Sequence, residues 1–146
     1  MLSGLTAPFL AAVANESTYY GALSGLDSGI LASYDVEPFL TSYGQYATDS
    51  AFPHADSPLP LNVYYAWELA EFDEYWRGVM QQSVDYLSEV ARSEEIWMEG
   101  AYVNYALSTY TGNQIYGVEN AARLRVIQDE YDPDGVMSGL AGGFVI

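Results

Sequence analysis

Cysteine and lysine are both missing from the 146 residues, and histidine occurs once, as His54. Without cysteine the chain can form no disulfide, no thiolate metal site and no cysteine nucleophile. Four arginines stand against 20 acidic residues, so the formal net charge is −16. A surface this negative repels phosphate backbones and anionic lipids, so we expect no nucleic-acid partner and no membrane partner.

The sequence also lacks a long hydrophobic run. Its longest apolar stretch, residues 5–14, is too short to span a bilayer and contains Pro8. The residues before it carry no Lys or Arg, so the positive region of a signal peptide is missing. We therefore interpret residues 5–14 as part of the fold and expect an intracellular, cytoplasmic protein.

Apolar residues make up 50% of the chain and aromatic residues 15%, which is enough for a sizeable core in a single domain, 1–146. Hydrophobic periodicity and turn residues predict six elements. They are a helix over 5–23, strands over 30–37 and 61–67, a helix over 70–92, a strand over 102–107 and a helix over 117–130. This order is typical of an α+β fold, with an antiparallel sheet and helices packed on one face.

Alternation within the first two strands predicts which side chains share a face. One face carries Ile30, Ala32, Tyr34 and Val36 in the first strand, and another carries Leu61, Val63, Tyr65 and Trp67 in the second. The 70–92 helix has a stripe, predicted to be core or interface, formed by Phe72, Trp76, Val79, Met80, Ser83, Leu87 and Val90. The 117–130 helix has Ala121, Leu124, Ile127 and Tyr131 along one side.

Three titratable residues are candidates for acid–base chemistry. His54, in a proline-rich loop, is the one side chain that ordinarily titrates near neutral pH. Its alternative is a loop histidine packed between prolines, which we favour. The side chains of Asp35 and Glu37 point to the same side of one strand. If that side lines a pocket, burial and the like charge would raise the pKa of one carboxyl group, and the two would form an acid–base pair. The alternative is that Asp35 and Glu37 lie on a solvated strand face. Because no third residue completes a metal site with them, we expect no bound metal.

The 14 tyrosines are the most unusual feature of the composition. We predict that a group of strand aromatics, together with Glu37, lines a pocket for a small apolar or polyene-like substrate. The predicted substrate-binding residues are Tyr34, Glu37, Tyr64, Tyr65, Trp67 and Tyr102. The alternative is that these aromatics only fill the core, since aromatic residues favour strands.

Several motifs resemble the C-terminal portion of fungal berberine-bridge-enzyme-like, FAD-linked oxidases. The closing segment matches in Tyr116-Gly117, Asn120, Arg123-Leu124 and Tyr131-Asp132-Pro133, and the ending 139–144 is similar to the fungal branch. Residues 33–39 and 50–53 are also similar to that family, and 102–105 resemble its Asn-Tyr motif. The resemblance implies that Asn104 and Tyr105 lie near flavin and substrate.

The resemblance also shows what the sequence does not contain. In that family an N-terminal domain holds the flavin through a glycine-rich loop and a covalently attached histidine, and no Gly-x-Gly-x-x-Gly follows a strand here. The family often has an arginine after the residue that corresponds to His54, where this chain has Ala55. We therefore expect no cofactor, with FAD present only if a partner chain supplies the binding domain.

Three functions follow as hypotheses. The first is a secondary-metabolite biosynthetic enzyme without its own flavin, which catalyses a cofactor-independent cyclisation of pericyclic type. Its catalytic residues would be Asn104, Tyr105, His54 and Asp35, with the Asn104 amide and the Tyr105 phenol polarising a carbonyl. The second is a subunit or fragment of an FAD-linked oxidoreductase, and the third is a non-catalytic ligand-binding domain. Surfaces left by the missing domain predict a homodimer or a partner chain.

Overall fold

In the computed structural model, which describes residues 1–140 and 146, the chain forms two compact units. The first, here called the sheet unit, comprises Met1–Leu40 and Pro58–Met98. The second, here called the helical unit, comprises Thr41–Ser57 and Glu99–Ile146. The expectation of a single domain over 1–146 stays a prediction.

The sheet unit contains two long helices and a two-stranded antiparallel sheet, which confirms the α+β class. Its elements are α1 (Ala7–Leu23), β1 (Gly29–Val36), β2 (Leu61–Trp67) and α2 (Asp73–Ser93), with the 3-10 turn Ala70–Phe72 before α2. The Thr6 hydroxyl accepts from the Phe9 N–H at the start of α1. Asp73 and Glu74 in the first turn of α2 and Arg92 in its last turn are placed favourably for the helix dipole.

Both helices pack on the sheet face that carries Tyr34 and Tyr65. In one core cluster, Phe9 and Val13 of α1 meet Leu87 and Ala91 of α2, and Tyr34 of β1 packs against them. In a second cluster, Val63, Tyr65 and Trp67 of β2 pack with Trp76 and Met80 of α2. The opposite sheet face is open in the described part of the chain, where Leu31, Asp35 and Tyr64 are exposed.

One residue of the first strand departs from the face predicted for it. The register between β1 and β2 shifts between Gly29 and Leu31, which is a β-bulge. A bulge changes the side on which the extra residue lies. Ile30, predicted to share a face with Ala32, Tyr34 and Val36, is therefore 64% exposed, whereas those three residues are half-buried.

The described residues of the helical unit form the 3-10 turn Tyr43–Tyr46 and three α-helices: α3 (Gly112–Tyr116), α4 (Val118–Tyr131) and α5 (Val136–Leu140). A capping box between Thr111 and Gln114 starts α3. Ile115, Tyr116 and Ala121 form its core cluster. The predicted 117–130 helix is confirmed, but only part of its predicted stripe is covered, since Ile127 and Tyr131 are exposed. The part of the 139–144 ending from residue 141 onward lies outside the described residues.

The strand predicted over 102–107 is wrong, because these residues form a turn. The Tyr105 N–H donates to the Tyr102 carbonyl at 2.9 Å, which closes the chain on itself. The two tyrosine rings pack edge to face with centroids 5.0 Å apart. The strand preference of aromatic residues depends on a neighbouring strand to pack against, and here local ring packing around Asn104 prevails.

Gly117 links α3 to α4 with φ 79° and ψ 159°, a conformation that is essentially restricted to glycine. We expect Gly117→Ala to lower the free energy of unfolding by about 1–3 kcal/mol through backbone strain alone, since a Cβ there would meet nothing within 4 Å. Urea unfolding followed by circular dichroism measures this. Gly139→Ala, in α5 with the same open space, is the control and is expected to raise stability slightly. Equal losses in the two variants would contradict the assignment.

Candidate functional site

Four of the predicted site residues come together in the helical unit. His54 lies parallel to Phe52, with ring centroids 6.1 Å apart, and Phe52 meets Tyr102 at 5.8 Å. Tyr102 in turn meets Tyr105 at 5.0 Å, and Tyr43 stacks on His54 at 6.1 Å. These five rings are called the aromatic cluster below. The proline-rich loop and the turn at 102–105 thus place His54 beside the Asn-Tyr motif.

Hydrogen bonds fix the chemistry that His54 can perform. Its Nδ1 lies 2.8 Å from the Phe52 carbonyl oxygen, which can only accept. Nδ1 therefore carries the proton, and in the neutral ring Nε2 is the acceptor nitrogen. The Ser50 hydroxyl donates to the same carbonyl at 3.1 Å and holds the loop in this geometry. In this geometry Nε2 is the ring nitrogen with a lone pair for a proton, and both interpretations of His54 stay predictions.

Asn104 adds an amide to the aromatic cluster. Its side-chain N–H donates to the Tyr102 hydroxyl oxygen at 2.7 Å, and Asn104 itself is exposed. A phenol oxygen that accepts a hydrogen bond becomes a better donor through its own O–H. Asn104, Tyr102 and Tyr105 therefore provide neutral hydrogen-bonding groups of the kind that orient a carbonyl or a flat heteroaromatic ring.

A second constellation lies in the sheet unit and contains the predicted residues Tyr34 and Tyr65. Their hydroxyl oxygens are 2.5 Å apart, and the Tyr34 hydroxyl is 2.7 Å from the Ser83 Oγ. Ser83 Oγ donates to the Glu16 carboxylate at 2.6 Å. This series of contacts is called the hydroxyl chain below, and it joins both helices to both strands.

The carboxylate fixes the direction of every bond in the hydroxyl chain. An ionised Glu16 can only accept, so Ser83 donates to it and must accept from Tyr34, which in turn accepts from Tyr65. Burial raises the pKa of the Tyr65 phenol above its ordinary range, and the hydrogen bond that it donates to Tyr34 adds to this shift. Burial also raises the pKa of Tyr34. Both phenols therefore stay protonated across the physiological pH range.

The remaining predicted residues of the sheet unit are Tyr64, Trp67, Asp35 and Glu37. Among the described residues, the first three form no hydrogen bond with the hydroxyl chain. Tyr64 is exposed on the open sheet face, whereas Tyr65 and Trp67 share the inner face, as alternation predicted. The Trp67 indole N–H donates to the Asp73 carboxylate at 2.7 Å. Asp35 is exposed and accepts a hydrogen bond from Ser33, and Glu37 is half-buried. The burial on which the Asp35–Glu37 acid–base hypothesis depended is therefore not present at Asp35.

Sequence reasoning did not assign a site role to Glu16, Ser83, Phe52 or Tyr43. A signal existed for the first two. Glu16 follows buried Ala12 and Val13 at helical spacing, and it is itself only 9% exposed. Ser83 stood in the predicted apolar stripe of the 70–92 helix, where a polar residue needs a partner. The pattern gave no way to know that these two polar residues would meet each other.

Asp132, in the Tyr-Asp-Pro motif, holds the start of α5. Its carboxylate accepts from the backbone N–H groups of Met137 and Ser138 at 3.1 and 3.0 Å. These bonds, which favour the charged form, lower the pKa of Asp132. The motif therefore has a structural role in this chain, because Asp132, which follows α4, caps the start of α5.

This cap predicts a local acid transition. Because the pKa of Asp132 is lowered in the folded chain, its stabilising contribution is present above the ordinary carboxyl pKa of about 3.9 and is lost as pH falls through the lowered value. The protection factors of the Met137 and Ser138 amides, which are hydrogen-exchange rates divided into the intrinsic rates at the same pH, are expected to fall in that range. Asp132→Ala should show fast exchange at all pH values, and Asp134→Asn should behave as wild type. Protection in Asp132→Ala equal to that of wild type would rule out the cap.

Within residues 1–140 and 146, no three histidine or acidic side chains are grouped so as to hold a metal ion. In the same part of the chain, no helix has the length and apolar character needed to cross a membrane.

Comparison with known proteins confirms the resemblance in the helical unit. The family described as "Berberine and berberine like" matches residues 101–138, a range that contains Asn104, Tyr105 and Asp132. This match does not extend to residues 33–39 or 50–53.

Two fungal proteins are similar over a longer part of the chain. The FAD-dependent monooxygenase sdcF of Emericella nidulans is 39% identical over 83 residues, which are 56% of this chain and 17% of that protein. The FAD-dependent monooxygenase drtC of Aspergillus calidoustus is 35% identical over 81 residues, which are 55% of this chain and 16% of that protein. The matched segment is therefore less than a fifth of either relative. No solved structure matches the chain.

The described residues do not fit a complete FAD. The FAD pyrophosphate needs cationic side chains or the N–H groups of a glycine-rich loop at a helix start. All four arginines have other partners. Arg123 pairs with Asp49 and Arg77 with Asp73 and Glu74, while Arg125 donates to Asn113 and Arg92 lies over the Trp97 ring. The aromatic cluster, by contrast, suits a flat ring.

Proposed function

We propose that this chain is the substrate-facing portion of a flavin-dependent oxidoreductase and acts together with a separate polypeptide region that binds FAD. The observation that carries the proposal is the place of Asn104 and Tyr105: they lie inside the berberine-like match and in one cluster with His54. The flavin would supply the redox chemistry, and this chain would bind and orient the substrate. The names of the two monooxygenases support the flavin part of the proposal.

Each group at the aromatic cluster has a distinct role in this proposal. The rings of Phe52, Tyr102 and Tyr105 provide a surface for a flat or polyene-like small molecule. Asn104 polarises the Tyr102 phenol, which orients a substrate oxygen. His54 accepts a proton at Nε2 while the Phe52 carbonyl fixes its ring.

Exposed apolar side chains support association with another polypeptide. In the helical unit they include Val126, Ile127, Tyr131, Met137 and Leu140, and in the sheet unit Leu31 and Tyr64 lie on the open sheet face. A partner that carries the flavin region would cover such surfaces, and a homodimer is the other form that could do so. Lysine is absent and the net charge is −16, so a less acidic partner is favoured over a second copy of this chain.

Reconstitution with a relative tests the proposal. The Emericella nidulans monooxygenase, trimmed of the segment that matches this chain and loaded with FAD, is mixed with the purified chain, and flavin fluorescence is followed. We expect quenching, because tyrosine phenols close to an excited flavin donate an electron to it. The double variant Tyr102→Phe/Tyr105→Phe should lose most of this quenching, whereas Tyr46→Phe, altered at a tyrosine that is 78% exposed and outside the cluster, should keep it.

A second result guards against failure of the trimmed protein to fold. A chimaera of the relative, in which its matching segment is replaced by that of this chain, should bind FAD and show the same dependence on Tyr102 and Tyr105. A folded chimaera whose flavin emission is the same with and without both phenols would overturn the placement of the aromatic cluster beside the flavin.

A cofactor-independent cyclisation is the second candidate function. The hydrogen-bonding groups of the aromatic cluster and Asn104 favour it. The Asn104 amide can polarise a carbonyl and the His54 imidazole can move a proton, and neither step requires redox chemistry. Incubation of the chain alone with a linear polyene that carries a carbonyl group distinguishes the candidates. A product of unchanged mass, formed without FAD and lost in Asn104→Ala, would favour cyclisation, and tight binding without conversion would favour a ligand-binding domain.

A further inference from the structure

Aromatic rings of the sheet unit form a continuous row that leads from the surface into the core and out again. Ring centroids are separated by 4.9 Å from Tyr19 to Tyr20, 5.9 Å from Tyr20 to Tyr65, 5.9 Å from Tyr65 to Trp76 and 5.2 Å from Trp76 to Tyr75. Tyr19 is 58% exposed and Tyr75 is 43% exposed, whereas Tyr65 and Trp76 are buried. These five residues are called the aromatic row. Tyrosine and tryptophan are the side chains that lose a single electron most readily among those with rings.

The hydroxyl chain meets the aromatic row at one residue, Tyr65. From there it continues through Tyr34 and Ser83 to Glu16, whose carboxylate can take up a proton. An oxidised phenol is a very strong acid and is stable only after it has lost its proton. Tyr65 is buried, so its proton must pass to a hydrogen-bonded partner, and the hydroxyl chain provides one.

We propose that Tyr65 is a one-electron oxidation site whose proton acceptor is Glu16. A one-electron oxidant, of the class of oxygen-centred radicals or oxidised metal complexes, removes an electron through the exposed rings of the aromatic row. The Tyr65 O–H proton moves to the Tyr34 oxygen, the Tyr34 proton to Ser83 Oγ, and the Ser83 proton to Glu16. The products are the reduced oxidant, a neutral Tyr65 radical and a protonated Glu16.

The hydroxyl chain stays satisfied throughout this step. Each of its three hydrogen bonds reverses direction, so that Glu16 donates to Ser83, Ser83 to Tyr34 and Tyr34 to the Tyr65 radical oxygen. No charge is left unpaired in the core, because the electron and the proton leave Tyr65 together. A small-molecule reductant that donates an electron at the exposed rings restores the starting state. The inference uses residues of the sheet unit alone and does not depend on the proposed function.

Flash photolysis tests the oxidation site. A ruthenium(II) polypyridyl complex, photo-oxidised by persulfate, serves as the oxidant, and tyrosyl and tryptophanyl radicals are followed by transient absorption and electron paramagnetic resonance. In the wild-type chain we expect a tyrosyl component that Tyr65→Phe removes, with a tryptophanyl signal in its place. Glu16→Gln, which preserves shape but not basicity, should slow formation of this component roughly a hundredfold, as for the loss of a positioned base. Tyr131→Phe, at an exposed tyrosine of the helical unit, should leave it unchanged.

Infrared difference spectroscopy on the wild-type chain provides a second readout that needs no folded variant. Oxidation should produce the carbonyl stretch of a newly protonated carboxyl group, and this band should shift in D₂O. A tyrosyl signal unaltered in folded Tyr65→Phe, or a Tyr65 radical formed without carboxyl protonation, would overturn the proposal. A hydroxyl chain that only stabilises the core would produce no such band.

Discussion

Replacing Trp76 by alanine is expected to lower the free energy of unfolding by about 3–5 kcal/mol, the range for removal of a large buried aromatic side chain. Trp76 is 1% exposed and is the largest fully buried side chain among the described residues. Its ring contacts Tyr65 and Tyr75 edge to face, and its indole N–H donates to the Asp27 carbonyl at 2.9 Å. Its loss would leave a cavity where α2 meets the sheet.

One further variant separates the contributions of the Trp76 ring and its indole N–H, and a second variant on the same helix serves as the control. Trp76→Phe keeps a ring but removes the indole N–H, so it should cost less than Trp76→Ala. Gly78→Ala, two residues along α2 with open space for a Cβ, should instead raise stability by about 0.5–1 kcal/mol. Urea denaturation of the three proteins gives these differences. A loss below about 1 kcal/mol in Trp76→Ala, the ordinary effect of a point mutation, would mean that Trp76 does not organise this core.

Removal of the Ser83 hydroxyl is expected to destabilise the sheet unit by about 2–4 kcal/mol, although only one oxygen atom is lost. Ser83 is fully buried and gives Glu16 its hydrogen bond, while it accepts from Tyr34. In Ser83→Ala the Glu16 carboxylate loses a charge-assisted bond and the Tyr34 hydroxyl loses its acceptor. Buried polar groups left unpaired cost more than the bond itself contributed.

A double variant identifies the cause of this loss. If the unpaired carboxylate is responsible, Ser83→Ala/Glu16→Leu should be more stable than Ser83→Ala alone, since both buried polar groups of the pair are then gone. Ser93→Ala, at an exposed serine at the end of the same helix, serves as the control and should change stability by less than about 0.5 kcal/mol. Additive effects of the two core substitutions would contradict coupling through the hydroxyl chain.

Much of the sheet unit could be predicted from the sequence, because its strands alternate and α2 has a clear apolar stripe. Alternation predicted that Ala32 shares a face with Tyr34, and Val63 with Tyr65, and the structure packs these residues against Trp76 and Met80 of α2. The exposure of Ile30 could not be predicted, because a β-bulge depends on how two strands pair and not on the sequence of one strand. The strand expected at 102–107 failed for a related reason: its aromatics pack on one another and no neighbouring strand pairs with them.

The candidate site was predicted in part. The family resemblance directed attention to Asn104 and Tyr105, and the structure brings His54 to them through Phe52, a link that the spacing along the chain could not reveal. Glu16 and Ser83 are 67 positions apart, so their contact depends on how α1 packs against α2. The sequence shows that Glu16 and Ser83 are polar residues among apolar neighbours. It does not show that they bind each other, because that contact depends on tertiary packing.

The mass of the complex between this chain and a flavin-binding region tests the central claim most directly. Light scattering after size-exclusion chromatography is applied to the chain, to the trimmed and FAD-loaded Emericella nidulans monooxygenase, and to their mixture. Our account predicts a one-to-one complex that carries flavin with quenched emission. Two separate species in the mixture, with flavin emission unchanged and the chain alone or paired with itself, would contradict it.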